Sequence, residues 1–276
     1  MKRWLATVLV IAACSAVVRA DVTIVQTTTV EGGMAAMAPG GIPTPTMTTR
    51  VKGMRSRVEL EAGAMSVITI TDLTTKQIII LRPDQKTATI ASAVPAAAGT
   101  GAPAAPPVTI GGIEASVTPT GKSQVIDGIK CDEYTFHTSM DLSGMTGGQM
   151  PPEAAAMMQG VKMLMVGGMW VAKDVPGAAD FVAFQKASAT SDMAAAAQGA
   201  SGINIPGMDK LMKAMGSLDG MAYMTEMTMT VDGTGQVADM MKQMGAMKIT
   251  TKTTSIKADA LSDDLFKVPE GYTIVK

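Results

Sequence analysis

The chain has 276 residues, 47% of them apolar, which suffices for a core and excludes wholesale disorder. Lys and Arg number 23 against 24 Asp and Glu with no long run of one sign, so the clustered basic footprint of a nucleic-acid binder is missing. One His, two Cys and 3% aromatic residues leave little material for a zinc site, a histidine-based triad or a base-stacking platform.

Residues 1–20, MKRWLATVLVIAACSAVVRA, read as a signal peptide. Lys2 and Arg3 form the basic start, Trp4 to Val18 is the apolar stretch, and Val18-Arg19-Ala20 offers small residues for cleavage before Asp21. The stretch is short for a membrane span and no second candidate follows, so the mature chain is expected to be exported to the periplasm without a transmembrane helix. Ile11-Ala12-Ala13-Cys14 offers a competing reading, a lipoprotein anchored through Cys14. Cleavage before Asp21 removes Lys2, Arg3 and Arg19, leaving 20 basic against 24 acidic residues, a net charge of −4. It also leaves Cys131 without a disulfide partner, and its place in a strand-like run points to a buried small hydrophobe.

Residues 21–276 read as one domain built mainly of strands. Asp21 to Val30 is rich in Val, Ile and Thr. Met54, Ser56, Val58 and Leu60 alternate with Arg55, Arg57, Glu59 and Glu61, the pattern of a half-buried antiparallel strand. Met65 to Asp72 follows, then Lys76 to Leu81 and Lys86 to Ile90 around an Arg82-Pro83-Asp84-Gln85 turn, where proline presets φ at the second position. Further strands are predicted at Ile113 to Val117, Lys122 to Ile126, Ile129 to Thr138, Val161 to Lys173, Met221 to Val231 and Met247 to Ala258. Helical spacing marks Ala178 to Ser191, Met208 to Met215 and Val237 to Met247. Segments rich in Ala, Pro, Gly and Met, at about 31–46, 93–107, 143–160 and 199–207, read as flexible insertions. The expected architecture is an antiparallel sheet of eight to ten strands with two or three short helices, curled so that a cavity lies between the layers.

Methionine is in excess, 26 residues against 11 Leu. Thioethers are soft ligands that suit Cu(I), but they also serve as flexible apolar fillers. Within single strands the spacing favours filler or cavity lining: Met163, Met165 and Met169 share a face, as do Met227 and Met229, and the sole histidine, His137, lies in none of these clusters. His137 and Glu133 are the only pair worth testing for acid–base work. No nucleophile elbow, zinc-protease motif or phosphate loop is present, so no enzyme activity and no cofactor are expected.

Several of these segments resemble a bacterial exported family of unknown function whose fold is similar to the LolA-type periplasmic lipoprotein carriers. They are Arg50 to Glu61, Ile68 to Asp72, Gln77 to Thr89, Gly121 to Tyr134 with Gly128, Cys131 and Tyr134, Met169 to Asp174, and Leu265 to Tyr272 with Phe266, Pro269 and Gly271. The resemblance implies a half-open antiparallel barrel with a helical lid and an apolar cavity that holds acyl chains. The long Ala/Pro/Met-rich insertions depart from that pattern. Alternation nominates Met54, Val58, Leu60, Ile78, Ile80, Tyr134, Phe136, Met163, Met165, Met227 and Met229 as cavity residues. The leading expectation is a Met-lined half-barrel that binds a lipid or another hydrophobic ligand. The alternatives are a structural or envelope-stress protein that docks an envelope partner, and a Met-rich copper-binding protein.

Overall fold

The computed structural model describes residues 21–33, 43–92, 108–109, 112–142, 159–191, 203–204 and 206–275. Residues 1–20, expected to be a signal peptide and including Cys14, and most of the four expected insertions lie outside the described residues. Twelve strands form a single sheet: β1 (Val22–Gly32), β2 (Thr46–Lys52), β3 (Arg55–Ala62), β4 (Met65–Asp72), β5 (Gln77–Arg82), β6 (Thr87–Ser92), β8 (Ile113–Ile126), β9 (Ile129–Asp141), β10 (Lys162–Ala172), β12 (Met221–Asp232), β13 (Met247–Lys257) and β14 (Thr273–Val275). Two-residue strands β7 (Val108–Thr109) and β11 (Ile203–Asn204) pair separately, in parallel. The helices are α1 (Ala178–Ala189), α2 (Met208–Gly216) and α3 (Gln236–Gln243), with a short 3-10 helix at Asp263–Phe266.

The fold is mainly β. Its sheet runs β14-β6-β5-β4-β3-β2-β1-β13-β12-β10-β9-β8 and is antiparallel except where β14 joins β6. It does not close into a barrel, and β14 and β8 form its edges. β1 to β6 make one meander and β8 to β13 another. Their only junction in the strand order is β1 with β13, where Gln26 faces Thr253 and Thr28 faces Thr251.

Local sequence explains most elements. The β5–β6 hairpin turns where Pro83 sets it, and the Gln85 N–H donates to the Arg82 carbonyl at 3.2 Å. β8 and β9 join through Asp127-Gly128, both at positive φ (50° and 82°), the backbone that a two-residue hairpin of matching twist requires. Ile113 to Val117 and Lys122 to Ile126 are halves of one strand; Pro119 lies at the register shift that separates them, which an edge strand tolerates. β2 was not expected, because its polar sequence TMTTRVK hides the alternation Met47, Thr49, Val51. Met54 lies in the β2–β3 turn and not on a strand; its carbonyl accepts from the Leu73 N–H at 3.0 Å. The predicted helix to Met247 stops at Gln243, since Gly245 at φ 81° takes the left-handed position that ends helices, and Met247 opens β13 instead.

The core divides between the two faces. Phe181 and Phe184 of α1 pack on Val22, Ile24, Val51 and Tyr223. Met215 of α2 and the following Leu218 pack on Met169, Val171, Tyr134 and Phe136. On the opposite face of β4 to β6, Ile68, Ile70, Leu81 and Ala88 are covered by the C-terminal segment through Leu261, Leu265, Phe266 and Tyr272. Cations of β2 and β3 fasten that segment. Lys52 donates to the Leu261 carbonyl at 2.6 Å and Arg57 to the Leu265 carbonyl at 2.9 Å, while Arg55 pairs with Asp263 at 2.6 Å and sits 5.1 Å above the Phe266 ring. The Arg55/Arg57/Glu59 face expected to meet solvent is therefore largely covered, and the Arg57 side chain is 11% exposed.

Phe266→Ala is expected to lower stability by about 3–4 kcal/mol, because it empties the centre of the C-terminal cover. Ile274→Ala, at the 59% exposed edge strand, should change it by less than about 0.5 kcal/mol. Urea unfolding followed by circular dichroism measures both.

Candidate functional site

The register carries one face across the whole sheet. Phe136 faces Gly167, Gly167 faces Met227, Met227 faces Ile249, and Ile249 faces Val30 of β1. From β1 the same face continues through Gln26, Met47, Leu60 and Val67, and through Ile24, Thr49, Val58, Thr69 and Ile80. Successive strand residues alternate in side, so Ile78, Tyr134, Met163, Met165 and Met229 belong to it too. Ten of the eleven nominated residues thus share a face; Met54, in its turn, does not belong to any strand.

Sharing a face does not make one cavity. Tyr134 and Phe136 lie under α2, packed with Met215 and Leu218, so that part is filled. Ile78 is buried against Leu73 and Ile80. Val58 and Ile80 are half-buried, and Leu60 is 43% exposed. α1 reaches β1, β2 and β12, α2 reaches β8 and α3 reaches β12. Among the described residues the coverage is therefore uneven, dense near β8 to β2 and thin over β3 to β5.

Met163 and Met229 form part of a separate small cleft of about 80 Å³, with Met241, Met244 and Met247. Spacing groups the last three on one helical face, whereas they belong to a helix, its end and the following strand. Gly245 is the local signal that could have divided them. Two larger hollows have polar rims. One of about 330 Å³ lies at the start of α2 beside Lys162, Asp141 and Lys210, and one of about 450 Å³ lies along α1 between Lys173, Lys186 and Asp219.

The titratable groups are organised for structure. The Tyr223 hydroxyl donates to Asp127 at 3.0 Å, and Lys252 pairs with Asp127 at 2.8 Å, which ties the β8–β9 turn to β12 and β13. Hydrogen bonds from Lys252 and Tyr223 hold the Asp127 carboxyl below the usual range. Burial, reinforced by Asp127, pushes the Tyr223 phenol up to about 12. At Glu59 burial acts upward, but hydrogen bonds from Arg50 and Arg57 outweigh it and the carboxyl is lowered. Cys131 is fully buried and free, and burial, then Asp132 and Asp127, raise its thiol. His137 is exposed and four strand residues from Glu133, a separation of about 13 Å that no hydrogen bond spans. Glu133 instead accepts from the Thr120 hydroxyl at 2.8 Å. Among the described residues, no group of three or more His, Cys, Asp or Glu is placed to hold a metal ion, and no helix is long and apolar enough to cross a membrane.

No protein-family model matches the chain, and no curated protein matches it. The resemblance to LolA-type carriers accordingly rests on the sequence motifs alone.

Two pH windows follow. The raised Tyr223 phenol contributes stability that is complete below its unfolded value near 10 and is lost as pH rises toward about 12, so Tyr223→Phe should remove that part of the alkaline decline. The lowered carboxyls of Asp127 and Glu59 contribute stability that is complete above about pH 4 and is lost as pH falls through their folded values. Melting temperature against pH for wild type, Tyr223→Phe and Asp127→Asn checks both signs. Cys131 should resist a thiol reagent at pH 7 in the native protein and react fully in denaturant.

Proposed function

We propose that the chain is an exported, non-enzymatic protein of the periplasm that binds a lipid or another apolar ligand on the helix-bearing face of its sheet, held as a LolA-like half-barrel. The observation that carries this reading is the part of that face that the described residues cover thinly. Val58, Leu60, Val67 and Ile80 on β3 to β5 present apolar side chains that keep partial exposure, on the face whose other half is packed by helices. A helix-packed wall beside an open apolar wall suits a ligand that is apolar and variable in length. The order of the LolA-type motifs along the sequence supports the same reading.

A second reading, a docking protein for an envelope partner, is favoured by β8. That edge strand is 14 residues long and leaves Val125 69% exposed, so it offers unpaired backbone groups for strand addition.

Native mass spectrometry of mature protein from a bacterial periplasm, with organic extraction of the same sample, tests the proposal. Added mass matching a phospholipid or acyl chain is expected. A bare polypeptide mass, unchanged after incubation with phospholipid vesicles, overturns the ligand reading in favour of docking. Val58→Lys and Leu60→Lys should each weaken binding of a fluorescent fatty acid by about tenfold, since each places a charge against the chain. The exposure of Leu60 should leave the melting temperature of Leu60→Lys nearly unchanged.

A further inference from the structure

The methionine cleft has a chemistry that an apolar wall does not need. Its five thioethers come from four places: Met163 on β10, Met229 on β12, Met241 and Met244 on α3 and its end, and Met247 on β13. Met229 and Met247 are direct cross-strand partners, which sets their Cβ atoms about 5 Å apart. Met163 is diagonal to Met229, because Met163 pairs with Val231 and Met165 with Met229. Met241 and Met244 are three apart on a helical path, so both face the same way. All five are half-buried and border a hollow of about 80 Å³, whereas the buried Met169 and Met221 sit within packed clusters.

We propose that this cleft is a soft-metal site that takes Cu(I) through these thioethers. The rest of the lining, Gly33, Thr230, Val231 and Gly245, carries no carboxylate, imidazole or thiol, so beyond one hydroxyl and backbone groups it lacks the anionic oxygen and imidazole donors that Ca²⁺, Mg²⁺, Zn²⁺ or Cu(II) prefer. A thioether is neutral and polarisable, and it binds Cu(I) without losing a proton. The hollow is too small for an acyl chain, whose pockets run to about 300 Å³ and more, yet it is ample for one ion. Spacing along single strands points away from copper because no strand holds enough of the set; the fold assembles it from residues up to 84 apart, Met163 to Met247.

The test is anaerobic titration of the mature protein with Cu(I) in competition with a chromophoric Cu(I) chelator. One equivalent should transfer to the protein. The triple variant Met241→Leu/Met244→Leu/Met247→Leu should weaken binding by about 100-fold or more, and Met54→Leu/Met65→Leu, outside the cleft, by less than about twofold. Leucine keeps the volume and the apolar character, so fatty-acid binding should survive in the triple variant and the two readings fail separately. X-ray absorption of the wild-type Cu(I) complex should show a shell of sulfur only, which reads the site even if the triple variant folds poorly. No transfer from the chelator, a shell of nitrogen or oxygen, or equal losses in the cleft and control variants would overturn the proposal.

Discussion

The pairing of β1 with β13 is the constraint on which the rest of the structure depends. Each meander alone would be a half-sheet with a bare inner edge, and among the described strands this ladder is the one pairing that joins them. It is held by polar groups as well as by backbone. The Gln26 amide donates to the Ala222 carbonyl at 3.1 Å and to the Thr253 hydroxyl at 3.2 Å, and the hydroxyls of Thr28 and Thr251 lie 2.9 Å apart. Thr253 is 1% exposed, so these bonds satisfy groups that would otherwise be buried without partners. Once the ladder forms, Ile24 and Val22 stand beside Ile256 and Tyr223, and α1 has a continuous surface on which to lay Phe181 and Phe184.

The joined sheet uses its two faces differently. One receives three helices at one end and leaves apolar side chains partly open at the other. The opposite face, at that other end, is closed by the C-terminal segment, which cations on β2 and β3 hold by its carbonyl groups as well as by Asp263. Exposed ion pairs add little, so the grip comes mainly from Phe266 and from the bonds to the carbonyls of Leu261 and Leu265.

Alternation made most of the strands legible, because β4, β5, β9, β10 and β12 carry strong period-two patterns or Val, Ile and Met runs. It also placed ten nominated residues on one face, which is a local property that register then preserves. What alternation could not supply was the cover over each patch. Tyr134 and Phe136 look like cavity residues until α2 lies on them. Arg57 looks like a solvent-facing charge until a segment some 200 residues later lies over it. The methionine cleft was hidden for the same reason, since its members are neighbours only after β10, β12, α3 and β13 have met. β2 was missed because threonines at both inward and outward positions blur the alternation of Met47, Thr49 and Val51 with Thr48, Arg50 and Lys52.

The ladder between β1 and β13 also fixes an order in time. Thr23 pairs with Lys257, so the first strand of the sheet has no second neighbour until almost the whole chain has been made. β1 can pair with β2 early, but the sheet stays in two parts for most of synthesis, and non-local pairing of this kind forms slowly. A chain that cannot finish folding until its last strands arrive stays extended for longer. For the export proposed above, that delay would keep the chain threadable through a narrow pore before its tertiary structure sets.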